Sequence, residues 1–173
     1  MRVAITGTPG TGKSSVCREL SRLGFVVVDL ARLAREKRLA KSQKKRGAPA
    51  IVDVERLRKV ILPEGDPLFL VSHFSHLLDL DMTVVLRCSP AVLESRLRTR
   101  GWAKRKIREN LEAEAIDLIT VEAMRRCDRV YEVDTTSTTA REASRQILEI
   151  VHGAVKGHEP GRIDWSEEIL SWY

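Results

Sequence analysis

The chain has 173 residues, with 30 lysines and arginines against 24 acids, a formal net charge of +6 and three cysteines. That length suits one domain able to bury a proper core. No stretch of about 18 apolar residues is present, so no transmembrane helix and no membrane partner are expected; Gly7, Pro9 and Lys13 interrupt any apolar leader, and an odd set of cysteines (Cys17, Cys88, Cys127) without metal-ligand spacing reads as reduced thiols of a cytoplasmic protein, or a nuclear one if the source is eukaryotic.

In chain order, Val3–Thr6 reads as a first strand and Lys13–Leu23 as its helix. Phe25–Val28 is a second strand ending in Asp29, and Ala31–Arg38 is helical. Lys41–Ala50 is polar and basic, carries Gly47-Ala48-Pro49, and reads as a loop. Val54–Ile61 resumes as a helix with Asp53 placed to cap it. Leu68–Val71 and Thr83–Leu86 are short buried strands. Pro90–Arg100 and Arg105–Met124 are helical, broken near Gly101. Arg129–Val133 is a fifth strand, Ala140–Val155 a closing helix, His158–Gly161 a breaker and Ile163–Trp172 a last amphipathic piece. Continuous apolar strands separated by helices predict an α/β fold with a parallel sheet covered on both faces, which binds ligands at the C-terminal ends of its strands.

The turn after the first strand carries the chemistry. Gly7, Gly12, Lys13 and Ser14 fill every fixed position of G-x-x-x-x-G-K-[ST], between a strand and a helix as the motif requires. Glycines let the backbone wrap a phosphate closely, and the new helix adds its positive dipole end. Gly10, Thr11, Gly12, Lys13, Ser14 and Ser15 are therefore the expected phosphate contacts. Lys13 would neutralise the β- and γ-phosphates, and the Ser14 hydroxyl would ligate Mg²⁺. The expected cofactors are ATP and Mg²⁺. No N-K-x-D base-recognition sequence is present, which argues against a GTPase, and no RRM-like stacking motif is found.

Beyond the loop the chain resembles a small nucleoside monophosphate kinase, and more specifically the adenylate kinase isoenzyme 6 family, the coilin-interacting nuclear ATPase group with its archaeal counterparts. The resemblance spans nearly the whole chain. It rests on Thr6-Gly-Thr-Pro-Gly-Thr-Gly-Lys-Ser-Ser15, Leu33-Ala-Arg-Glu36, Ile51-Val-Asp-Val-Glu55 and Val85-Leu-Arg87. It continues through Leu97-Arg-Thr-Arg-Gly-Trp102, Lys106-Ile-Arg-Glu-Asn-Leu-Glu-Ala-Glu114 and Gly161-Arg-Ile-Asp-Trp165. It implies a three-layer P-loop fold with a five-stranded parallel sheet, an AMP-binding segment within residues 30–60 and a lid within residues 96–108. It also implies ATP + AMP ⇌ 2 ADP with a slower ATPase. The implied partners are AMP or another nucleoside monophosphate, a small-subunit platform ribosomal protein and pre-ribosomal RNA.

Carried onto this chain, the lid arginines Arg96 and Arg100, one helical turn apart, pack on adenine or clamp phosphates. Arg35 is the candidate for the acceptor phosphate, and Arg87 could reach the same cavity. Asp134 and Thr135 lie where related kinases pass the adenine, although a helix-capping turn would look the same. Two departures stand out. The family's Asp/Glu-x-His pattern at the end of strand three reads Val71-Ser72-His73 here, so His73 is in place but the acid is not, leaving Asp29 as a substitute carboxylate. The segment that is often acidic in the family reads Lys41-Ser-Gln-Lys-Lys-Arg-Gly47, which makes RNA contact more credible. A nucleotide-gated assembly factor with vestigial chemistry is the alternative reading.

Overall fold

The structure, a computed structural model, describes residues 1–41, 51–60 and 62–170. A five-stranded sheet forms the centre: β1 (Arg2–Thr6), β2 (Val26–Asp29), β5 (Leu68–Val71), β6 (Met82–Arg87) and β7 (Val130–Asp134), in the order β2-β5-β1-β6-β7. All four pairings are parallel, with Ile5 beside Val71 on one side and Val84 on the other. β1, β5 and β6 lie inside the sheet and are apolar almost throughout, because helices cover both of their faces.

On one face α1 (Lys13–Arg22) and α7 (Ala140–Val151) bury Val16, Leu20, Ala143, Ile147 and Ile150 against Val3, Ile5, Phe69 and Val84. On the other, α2 (Leu30–Glu36) and α3 (Val54–Arg58) close a second core of Leu30, Ala34, Leu57, Leu68 and Leu70. Asp29 and Asp53 cap these two helices, each carboxylate accepting the backbone N–H three residues on. A two-stranded antiparallel ribbon, β3 (Ala40–Lys41) with β4 (Ile51–Val52), brackets the predicted basic loop, whose residues 42–50 lie outside the described residues. The α3 helix stops at Arg58, short of the Ile61 expected from the sequence, and Ile61 itself also lies outside the described residues.

The run expected to be helical from Arg105 to Met124 is two helices, α5 (Lys104–Ala115) and α6 (Leu118–Met124). The break falls at Asp117, whose φ of 55° is left-handed. The Arg87 guanidinium holds the Asp117 carboxylate there, and an aspartate tolerates that conformation better than most residues. α4 (Pro90–Thr99) packs on α5 through Leu93, Leu97, Ile107 and Leu111. Ser89 and the Thr139–Glu142 capping box start α4 and α7. α7 ends at Val151, four residues before the predicted boundary, and a short α8 (Ser166–Leu170) comes last.

Candidate active site

The loop from Gly7 to Gly12 turns β1 into α1 with Gly7, Gly10 and Gly12 at φ of 134°, 103° and 98°. Two of these glycines are also required by close packing. A Cβ on Gly7 would overlap the Leu86 carbonyl oxygen, and one on Gly10 would sit 2.6 Å from Leu93 Cδ1. Threonines brace the loop from within: the Thr11 hydroxyl donates to the Thr8 carbonyl at 2.9 Å, and the Thr11 amide donates to the same oxygen at 3.2 Å. At the start of α1 the amides of Ser15 and Val16 donate to the Gly12 carbonyl at 2.9 and 3.1 Å, while those of Lys13 and Ser14 come before the first helical bond and are placed as anion donors.

Lys13 folds over this concavity. Its ammonium donates to the carbonyls of Gly7 (2.6 Å) and Thr8 (2.9 Å). Burial lowers its pKa to about 7, although Glu114 nearby pulls upward; Arg100 adds to the lowering. A small cleft of about 180 Å³ lined by Pro9, Gly10, Gly12, Lys13, Ser14, His73 and Arg100 forms the floor of the site. It opens on both sides.

On one side it shares Gly10, Gly12 and Arg100 with a cleft of about 260 Å³ that adds Arg96, Thr135, Thr138 and Thr139. Here Arg96 is fixed, its guanidinium donating to the Thr135 carbonyl at 2.6 Å and to the Thr136 carbonyl at 3.3 Å. Thr135 is buried, with its hydroxyl 2.9 Å from the Thr11 carbonyl and 2.8 Å from that of Arg87; either oxygen can accept its proton. The loop after β7 is thereby keyed to the phosphate loop. Asp134 does something else: its carboxylate accepts the Thr136 amide at 2.8 Å and the Thr136 hydroxyl at 2.5 Å, making a turn rather than lining the cleft.

On the other side the floor shares Lys13, Ser14 and His73 with a larger cleft of about 500 Å³. Arg18, Asp29, Arg32, Val71 and Ser72 line it, and among the described lining residues Asp29 is the one carboxylate. Where the resemblance led to the expectation of an acid stands Val71, a buried side chain at the end of β5 that accepts no hydrogen bond. His73 lies against Phe74 edge-to-face at 5.0 Å. Desolvation, then Lys13, His76 and Lys106, hold its pKa below the ordinary value, which favours the neutral imidazole.

Two arginines expected at the acceptor do not line this cleft. Arg35 is exposed, with its Nε donating to the Ala31 carbonyl at 3.2 Å, and the cleft is lined by Arg32 and Arg18 in its place. Arg32 and Arg35 share α2, and the rotation of that helix against the sheet decides which of them faces the cleft. Arg87 is 1 % exposed and locked among Glu114 (2.8 Å), Glu132 and Asp117. Burial alone would lower its pKa, but Glu114 and Glu132 reverse that and the net shift is upward. It is a structural ion, closed off from the cleft. The residue that sequence reading passes over is Glu114, the last position of a longer helical motif, whose carboxylate accepts the Thr8 hydroxyl at 2.5 Å.

A strand order with β1 between β5 and β6, and a lysine-bearing glycine loop between two clefts, make this a P-loop kinase fold. Shikimate kinase from Acinetobacter baumannii matches it with a TM-score of 0.56 at 17% identity, covering 88% of this chain and 93% of that one. Deoxyadenosine kinase from M. mycoides matches with a TM-score of 0.52 at 14% identity, covering 89% and 100%. A family model described as an AAA domain matches residues 3–117. Proteins named "Putative adenylate kinase" from Archaeoglobus fulgidus (44% identical, covering 98% of this chain and 94% of the relative) and Pyrococcus furiosus (39%, covering 99% and 97%) align almost end to end. The chain belongs to this family of archaeal P-loop proteins.

Proposed function

We propose that this protein transfers the γ-phosphoryl group of Mg-ATP to a nucleoside monophosphate, with AMP as the acceptor. The observation that carries the reading is that two clefts open from one floor, the Arg96–Thr135 cleft through Gly10, Gly12 and Arg100 and the Arg18–Arg32 cleft through Lys13, Ser14 and His73. The Arg96–Thr135 side suits the donor nucleoside. The Arg18–Arg32 side offers two cations to the acceptor's phosphate. The relatives' name agrees with this assignment.

Phosphoryl transfer needs alignment and charge neutralisation more than a covalent nucleophile. Lys13 and Arg100 flank the transfer point and would balance charge on the moving phosphoryl group. Among the described residues no cluster of His, Cys, Asp or Glu could hold a metal on its own. The exposed Ser14 hydroxyl, with Asp29 across the cleft, fits a Mg²⁺ that arrives with the nucleotide, since this ion prefers oxygen ligands and keeps several waters. Bound there, Mg²⁺ would supply neutralisation of the phosphate oxygens. His73, its neutral form favoured at its place between floor and acceptor cleft, would hydrogen-bond the acceptor phosphate or a water.

ADP formation from Mg-ATP, measured with and without AMP, tests the proposal. AMP-stimulated ADP production that disappears in Lys13→Ala is the expected result. Mg-ATP binding with no ADP above the Lys13→Ala control would reject phosphoryl transfer. Val71 favours a second reading, in which slow ATP hydrolysis gates binding of a small-subunit platform ribosomal protein during ribosome maturation. Pull-down of that protein in ATP but not in ADP would support it, and equal capture in both would remove it.

A further inference from the structure

Glu114 is 3 % exposed, and its carboxylate joins two parts of the chain. One oxygen accepts Arg87 Nε at 2.8 Å and the Cys88 amide at 3.0 Å; the other accepts the Thr8 hydroxyl at 2.5 Å. Thr8 is in turn the node of the phosphate loop. Its carbonyl takes the Lys13 ammonium at 2.9 Å together with both Thr11 donors. Glu132 offers a useful contrast. It too is buried beside Arg87, but its other partners are the Thr120 hydroxyl at 2.7 Å and the Gly161 amide at 3.0 Å.

Neutralising Arg87 does not account for Glu114, because Glu132 and Asp117 already face the same guanidinium. Burying a further carboxylate is costly unless its other oxygen has a partner that matters. The helix carrying Glu114 starts at Lys104, beside the Arg100 turn and Trp102, which Lys106 covers at 4.2 Å. Through Ile107 and Leu111, α5 packs on Leu93 and Leu97 of α4, the side chains that a Cβ on Gly10 would meet. One helix pair therefore grips the loop twice, by an apolar contact at Gly10 and a charge-assisted hydrogen bond at Thr8.

We propose that Glu114 is a positioning residue, holding the phosphate loop in shape through Thr8 and coupling it to the helix that begins in the lid. This rests on the reading of the loop as the seat of Mg-ATP. The test is Mg-ATP affinity by calorimetry, alongside thermal unfolding, in Glu114→Gln, Thr8→Val, the double variant and Glu132→Gln. Thr8→Val and Glu114→Gln should each weaken Mg-ATP about tenfold, the scale of one charge-assisted bond, and the double variant should be no weaker than Glu114→Gln alone. Glu132→Gln should lower the unfolding temperature and leave the affinity at the wild-type level. Wild-type affinity in both Thr8→Val and Glu114→Gln, or losses that add in the double variant, would overturn the proposal. Absence of AMP-stimulated turnover in a wild type that binds Mg-ATP would sink the acceptor assignment instead, leaving this affinity comparison intact.

Discussion

Arginines in this chain have three different fates, and the same guanidinium chemistry predicts a different mutant phenotype for each. Arg87 is buried against carboxylates, so Arg87→Met should leave Glu114 and Glu132 uncompensated and cost about 3–5 kcal/mol. Chemical denaturation would show it as an earlier midpoint with an unchanged slope. Arg100 is exposed beside Lys13, and its removal should spare stability while lowering turnover about tenfold or more. Steady-state kinetics with unfolding on the same samples would separate the two effects, and unchanged turnover would take Arg100 out of the transfer site. Arg32 lines the cleft proposed for the acceptor whereas Arg35 does not. Arg32→Ala should therefore raise the KM for the acceptor more than Arg35→Ala does, and the reverse order would return the acceptor role to Arg35.

Helices α4 and α5 share a small apolar cluster with Cys88 at its edge: Leu93, Leu97, Ile107 and Leu111. A helix pair held by so few side chains depends on each of them. Leu97→Ala, at a fully buried position, should cost about 2–5 kcal/mol. Because Leu97 also lies next to Gly10, nucleotide affinity should fall with it. Calorimetry at a temperature where the variant is still folded checks this link, which fails if affinity is unchanged. The split between α5 and α6 at Asp117 shows the same dependence on distant partners. Helical periodicity continues through that point in the sequence, but the contact that ends the helix comes from a strand 30 residues earlier.

Across the whole molecule, the histidines near the sheet's C-terminal edge set a pH dependence. His76 is buried between the Thr6 hydroxyl (2.9 Å) and Glu122 (3.2 Å), and desolvation holds its pKa below the ordinary value despite Glu122. His73, which is exposed, shifts the same way and adds less. With folded values below those of the unfolded chain, the unfolded state takes up protons first as pH falls. Stability is fully present above the ordinary histidine value and declines below it, through the folded values. Thermal unfolding measured from about pH 7 to about pH 5 should show this loss. His76→Gln should flatten the curve, and an unaltered slope in that variant would assign the loss to other groups.

Features that depend on neighbours along the chain can be read from the order of the residues. The phosphate loop is legible because Gly7, Gly12, Lys13 and Ser14 meet their constraints within one turn, and the parallel sheet is legible because strands buried on both faces are apolar without interruption. The cap at Asp53 is short-range in the same way, whereas Asp29, read as a substitute carboxylate, turns out to cap α2 as well. What the long side chains do depends on contacts that exist only once the chain has folded. Arg87, Arg35 and Arg32 look alike in one dimension, but sheet order buries the first among carboxylates brought from α5, β7 and the turn before α6, and helix rotation chooses between the other two. The same holds for Glu114. Its importance comes from a hydrogen bond to a threonine 106 residues earlier, and the free energy of such a contact is set by burial and geometry that folding alone creates.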